Sequence, residues 1–191
     1  LSKKYILIYL MRNTPKKTLN HPKAKPEERI IFQEKIKDYQ EANRSIIYID
    51  ESGFAQDMPR TYGYALKGQR SYGKHYWGVR GRTNAIGALF GKNLLTVSLF
   101  EQNINTDIFN SWVTQDLLPK LPTGSIIVMD NAAFHKSKNM QEQIKLAGHN
   151  LEYLPAYSPD LNPIEPKWAQ AKSLRRKHSC DIDSLFRDFC L

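Results

Sequence analysis

The sequence predicts an α/β protein, a mixed sheet packed between helices, and three observations predict it. Two continuous β-branched and apolar runs, Ser45-Ile46-Ile47-Tyr48-Ile49-Asp50 and Ser125-Ile126-Ile127-Val128-Met129-Asp130, read as strands buried on both faces. Two further apolar runs, 84–90 and 94–100, flank Gly91-Lys92-Asn93, a hairpin signal. Downstream, helical periodicity alternates with short strands, giving the order β, β, β, α, β, α, β, α in a three-layer arrangement.

The elements follow in order. Residues 13–26 carry Pro15, Pro22 and Pro26 among lysines and read as a linker with little to bury. Pro26-Glu27-Glu28 opens a helix to about Glu41, with acids where the helix dipole favours them and Ile30, Ile31, Phe32 and Ile36 as its apolar members. The first strand is 45–50. Residues 59–82, rich in Gly and Tyr, read as a long loop or irregular hairpin before the two hairpin strands. Thr106 is the expected cap of a helix to about Leu118, whose Phe109, Trp112, Val113 and Leu117 share one face, and Pro119, Pro122 and Gly124 end it. The second Asp-ended strand precedes a helix over 138–147 stopped by Gly148, a short strand at 151–154, a turn-rich loop at 157–162 and a helix from Pro163 to about Lys177. A last helix is expected from Asp183 to the end of the chain.

In this 191-residue chain, 41% hydrophobic and 25% charged residues suit a globular protein with a real core and exclude collagen-like, coiled-coil and wholly disordered classes. The longest apolar runs fall far short of the ~20 residues of a spanning helix. Cys180 and Cys190 form no CxxC pair, which argues against a disulfide scaffold or a cysteine-held zinc and suits a reduced intracellular compartment. The net charge is +9, and it is unevenly spread. Residues 1–44 hold 11 basic against 5 acidic side chains, 45–165 hold 11 of each, and 166–178 hold five basic side chains and no acid. Basic segments flanking a neutral middle point to a polyanion, nucleic acid above all, against the plainer reading of a solvated lysine-rich surface.

Two buried-type strands that each end in aspartate would bring Asp50 and Asp130 out at one sheet edge, the place where open α/β sheets bind ligands. Paired carboxylates repel unless a cation neutralises them, and a hard divalent ion is the usual solution. The alternative is that each Asp only caps a turn. Glu165 has two readings as well. In Asn162-Pro163-Ile164-Glu165 it occupies the third position of a capping box, and the same first helical turn would hold a metal ligand rigidly.

Tyr48-Ile49-Asp50-Glu51-Ser52-Gly53-Phe54, Met129-Asp130-Asn131-Ala132-Ala133-Phe134-His135-Lys136-Ser137 and Tyr157-Ser158-Pro159-Asp160-Leu161-Asn162-Pro163-Ile164-Glu165 together resemble the three catalytic blocks of insertion-sequence transposases of the mariner superfamily. Between Asp130 and Glu165 lie 34 residues, the spacing that names a major branch of that superfamily. The resemblance covers about residues 23–185. It implies an RNase H-like fold with a mixed five-stranded sheet flanked by helices. It implies Asp50, Asp130 and Glu165 as catalytic residues and ligands of two Mg²⁺ or Mn²⁺ ions, and metal-dependent DNA cleavage and strand transfer. The implied partners are element-end and target DNA, with a homodimer or synaptic complex formed on it, and no membrane. The implied location is the bacterial cytoplasm, at the nucleoid.

Asn131 and His135 match the second block and either position phosphate or water, or stabilise the turn and pack near the next helix. Lys167, Lys172, Arg175 and Arg176 lie on the helix of Glu165 and are expected as backbone-phosphate contacts. Trp168 shares a helical face with Ile164 and Ala171 and is expected in the core rather than stacked on a base. Strand alternation sends Glu51 to the face opposite Asp50, which leaves it out of the expected site. Residues 60–70 resemble a family loop that either clamps a partner subunit or is mobile surface.

Family members usually carry N-terminal helix-turn-helix modules. The reading here is a basic linker and helix over 1–44, the remnant after a missing DNA-binding region, and a catalytic domain over 45–191 that is cut short at its C-terminus. The rival functions are an RNase H-like nuclease or resolvase without strand transfer, and an inactive remnant that only binds DNA or a partner subunit.

Overall fold

A computed structural model describes residues 22–57, 65–70 and 81–189. Residues 13–21 of the expected linker and most of the 59–82 loop lie outside them. The sheet is five-stranded in the order β3–β2–β1–β4–β5, with β1 Ile46–Ala55, β2 Arg82–Phe90, β3 Asn93–Phe100, β4 Ile126–Met129 and β5 Asn150–Tyr153. β1, β2 and β3 pair antiparallel, and β1, β4 and β5 pair parallel, as a mixed sheet.

Side-chain alternation along the central strands builds two cores. Ile47, Ile49, Ile127 and Met129 face α2 (Thr106–Trp112) and α3 (Lys138–Leu146), meeting Phe109, Trp112, Met140 and Ile144. Ile46, Ile126 and Val128 face α1 (Pro26–Glu41). Phe54, Ala85 and Leu89, on that same side, meet Ile164, Trp168 and Ala171 of α4 (Ile164–His178) and Leu185 of α5 (Ile182–Asp188). The sheet is therefore covered on both sides, as its apolar central strands require.

The structure corrects several expectations. β1 does not stop at Asp50. Antiparallel pairing with β2 continues from Asp50↔Gly87 to Ala55↔Arg82 and supplies its hydrogen bonds. The cap of α2 is Asn105, whose side chain accepts from the Ile108 N–H at 2.9 Å, rather than Thr106. The helix then widens into a π-turn over Val113–Leu117 and tightens into a 3₁₀ turn over Leu118–Lys120 around Pro119.

The expected helix after the linker is present as α1, and it packs as a layer against the sheet. Phe32 and Ile36 are buried against β1 and β4, each worth about 1.5–3 kcal/mol when fully buried. Arg29 adds a two-pronged pair with Asp160 at 2.9 and 2.6 Å, and Tyr39 donates to Glu152 at 2.7 Å. No helix among the described residues is long and apolar enough to cross a membrane.

Candidate active site

The parallel register pairs Tyr48 with Val128, and Asp50 and Asp130 each follow two residues later along the chain. β4 ends at Met129 whereas β1 continues. The termination leaves β1 without its parallel neighbour from Asp50 onward, at the carboxyl edge of the parallel strands where open α/β sheets bind ligands. α4 crosses this edge with Glu165 exposed in its first turn.

Asp50 is the most perturbed carboxyl of the site. Burial, followed by the charges of Glu165, Glu51 and Asp130, pushes it up to about 8. Its Oδ2 accepts a hydrogen bond from Trp168 Nε1 at 3.1 Å. Asp130 behaves in the opposite way. A hydrogen bond from His135 holds it below the usual carboxylate range against the effect of its partial burial. Its Oδ1 accepts from His135 Nδ1 at 2.6 Å and from the Ala132 N–H at 2.9 Å, which leaves Oδ2 for a ligand.

His135 is fully buried in the 3₁₀ turn Ala133–Lys136. Nε2 reaches Glu51 Oε1 at 2.9 Å. Its ring lies 4.3 Å from those of Phe109 and Phe134, and Tyr153 donates to its carbonyl at 2.6 Å. Burial opposes its charging, but the hydrogen bonds to Asp130 and Glu51 prevail and push it up to about 9. That shift favours the charged ring, which bridges the carboxylates of Asp130 and Glu51.

Glu51 is the residue that sequence reasoning left out. The alternation argument assigns its face correctly, since Ile47 and Ile49 share that face with Phe109. His135 packs on the same face and turns the corner to Asp130. The sequence signal for it is the histidine five residues after Asp130, whose burial only the structure shows. Asn131 gives its amide to the Leu154 carbonyl at 2.7 Å, tying the ends of β4 and β5 together.

The capping box is not formed. Asn162 accepts the Glu165 N–H through its carbonyl at 3.2 Å, and the Glu165 carboxylate carries no hydrogen bond among the described residues. Nor, among the described residues, do any three His, Cys, Asp or Glu side chains already stand close enough together to hold a metal ion.

On α4, Lys167 and Lys172 are partly exposed, and Lys172 Nζ lies 5.5 Å from the Phe54 ring centre. Arg175 corrects the expected row of phosphate contacts. It is buried, and its nitrogens serve the carbonyls of Ala55, Gln56 and Cys180 at 2.5, 3.1 and 3.3 Å. Ala55 closes β1, Gln56 follows it, and Cys180 lies just past the end of α4, so Arg175 ties the end of the strand to the end of its own helix.

This strand order, with helices on both faces and acids at the β1–β4 edge, defines an RNase H-like domain. The chain belongs to the DDE superfamily endonucleases, whose family model matches residues 45–185. No curated protein matches it. Among solved structures, the Mos1 transposase paired-end complex with left transposon end aligns at a TM-score of 0.65 and 15% identity, over 92% of this chain and 57% of that one. The mariner Mos1 paired end complex with Mg gives 0.63 and 17%, over 90% and 58%. The catalytic domain of Mos1 mariner transposase gives 0.54 and 13%, over 83% and 78%. At these identities the likeness is one of fold, and the chain spans under two thirds of the first two.

Proposed function

We propose that this chain is the catalytic domain of a DNA transposase, cutting strands at an element end and joining them to target DNA by in-line phosphoryl displacement. The observation that carries the reading is the crowding of Asp50 by Glu165 and Asp130 where β4 stops. Membership of the endonuclease family supports it, as does likeness to Mos1 structures on transposon ends and with Mg and Mn.

An all-oxygen donor set, one member of which keeps its proton for want of a counter-charge, suits a hard divalent cation. Asp50, Asp130 and Glu165 would hold two Mg²⁺ or Mn²⁺ ions, with Glu165, exposed and its carboxylate without a hydrogen bond among the described residues, drawn in toward Asp50. When bound, such a pair activates the attacking oxygen and stabilises the leaving oxygen. The chain's own part is to aim the donors: His135 fixes Asp130, and Asn131 pins the loop between them. Lys167, Lys172 and Arg176 contact the DNA backbone. Water as nucleophile gives cleavage, and a freed 3′-hydroxyl gives joining. Both are displacements at phosphorus and use the same three carboxylates. Two copies on paired ends form the synaptic complex, at the bacterial nucleoid.

The test is Mn²⁺-dependent nicking of element-end DNA. Asp50→Asn, Asp130→Asn and Glu165→Gln should each lower it by about a thousandfold, roughly 4 kcal/mol of transition-state stabilisation. Unchanged nicking by Asp130→Asn would defeat the assignment. Pre-cut ends with a 3′-hydroxyl that are never joined to target would leave a nuclease rather than a transposase.

A further inference from the structure

Trp168 is almost completely buried, between Phe54 and Phe186, with ring centres 6.2 and 6.3 Å away and nearly perpendicular planes. Its indole N–H nevertheless reaches out of this apolar cluster to Asp50 Oδ2 at 3.1 Å. The residue facing Asp50 across β1 and β2 is Gly87. A Cβ there would stand 2.6 Å from Trp168 Cη2 and 2.9 Å from Cζ2. The missing side chain is thus the notch that admits the indole, a close approach of the kind that glycine inside a strand marks. Trp168 also lies one helical turn after Glu165 on α4. One rigid ring therefore ties the helix that carries one proposed ligand to the side chain of another.

We infer that Trp168 is a positioning residue: seated in the Gly87 notch, it fixes the Asp50 carboxylate and sets its separation from Glu165 for divalent-cation binding. The inference rests on the three-carboxylate reading above. Hydrogen-bond partners of ligating groups typically account for 10–100-fold in metal affinity. A packing role alone would affect stability and leave that affinity in place.

Mn²⁺ affinity is measured by titration calorimetry, alongside urea unfolding and the indole ¹H–¹⁵N spectrum. Trp168→Phe keeps a ring and loses the donor, and should weaken Mn²⁺ binding at least tenfold. Gly87→Ala fills the notch and should weaken it comparably. Phe186→Ala loosens the same cluster without touching Asp50, and should lower stability with Mn²⁺ affinity within about twofold of wild type. In the metal-free protein the indole resonance lost in Trp168→Phe should move in Asp50→Asn. Mn²⁺ binding by Trp168→Phe no weaker than by Phe186→Ala, or an indole resonance indifferent to Asp50→Asn, overturns the inference and leaves the metal site standing. Wild-type Mn²⁺ affinity in Asp50→Asn overturns the site itself, and the inference with it.

Discussion

His135 Nδ1 stands 2.6 Å from Asp130 Oδ1, and the opposite nitrogen of the same ring reaches Glu51 across the sheet edge. Without the ring, two carboxylates lose a shared cation and a cavity opens beside Phe109. Glu51 is largely covered while Asp130 is half exposed, so water compensates only the second. His135→Ala should cost about 2–3 kcal/mol in urea unfolding, somewhat below the loss of a fully buried pair partner, and lower Mn²⁺-dependent nicking at least tenfold. Unchanged nicking in a folded variant would show that Asp130 needs no such support.

Asp50 gives a prediction of unusual sign. Its folded value is raised to about 8, by burial first and then by Glu165, Glu51 and Asp130. Between about pH 4 and pH 8 the unfolded chain releases this proton while the folded one keeps it, so stability falls as pH rises. Asp50→Asn abolishes that cost and still offers Trp168 an acceptor. In EDTA the variant should melt above wild type, with the gap opening from about pH 4 to pH 8 and level beyond, while nicking is lost. Thermal scans across that range check it. A gap that is absent or reversed would mean that Asp50 is not crowded.

Local pattern was enough for the elements whose causes are local. Pro26-Glu27-Glu28 marks the start of α1, and the apolar runs mark β1 and β4. What stayed hidden depends on partners distant in the chain. The extension of β1 to Ala55 needs β2 beside it, because Ser52 and Gly53 are poor strand formers by themselves. The π-turn at Val113–Leu117 has no signature in the helical pattern. Arg175 reads as one more base in a basic run until the carbonyls of Ala55 and Gln56 are placed beside it. Asp50 and Asp130 could be matched to one edge from sequence alone. The contact of Asp50 with Trp168 could not, although Gly87 within an apolar strand was a clue.

The basic residues of α4 divide into two kinds. Arg175→Ala would remove three hydrogen bonds to carbonyls, and should lower stability by about 2 kcal/mol or more without a specific effect on the salt dependence of DNA binding. Lys172→Ala should leave the fold intact and lower the slope of log affinity against log salt by about one. Melting curves and DNA titrations at several salt concentrations separate the two. A reduced slope in a fully stable Arg175→Ala would return that residue to the DNA interface.

Away from the Asp50 edge, Asp116 ties the edge strand β3 to the π-turn. Its Oδ2 accepts from Thr96 at 2.7 Å and Ser98 at 3.2 Å, its Oδ1 from Lys120 at 2.5 Å, and Trp112 Nε1 donates to Ser98 at 3.1 Å. Burial works to raise the carboxyl, but hydrogen bonds from Lys120, Thr96 and Ser98 outweigh it and hold it below the usual range. A depressed carboxyl contributes stability above its unfolded value, near pH 4, and loses it as pH falls through the folded one. With about a third of the side chain exposed, the contribution at neutral pH is discounted to about 1 kcal/mol. Asp116→Asn should therefore melt below wild type at pH 7, with the difference closing below about pH 4. A difference that persists unchanged into acid would assign the loss to packing rather than to the charge.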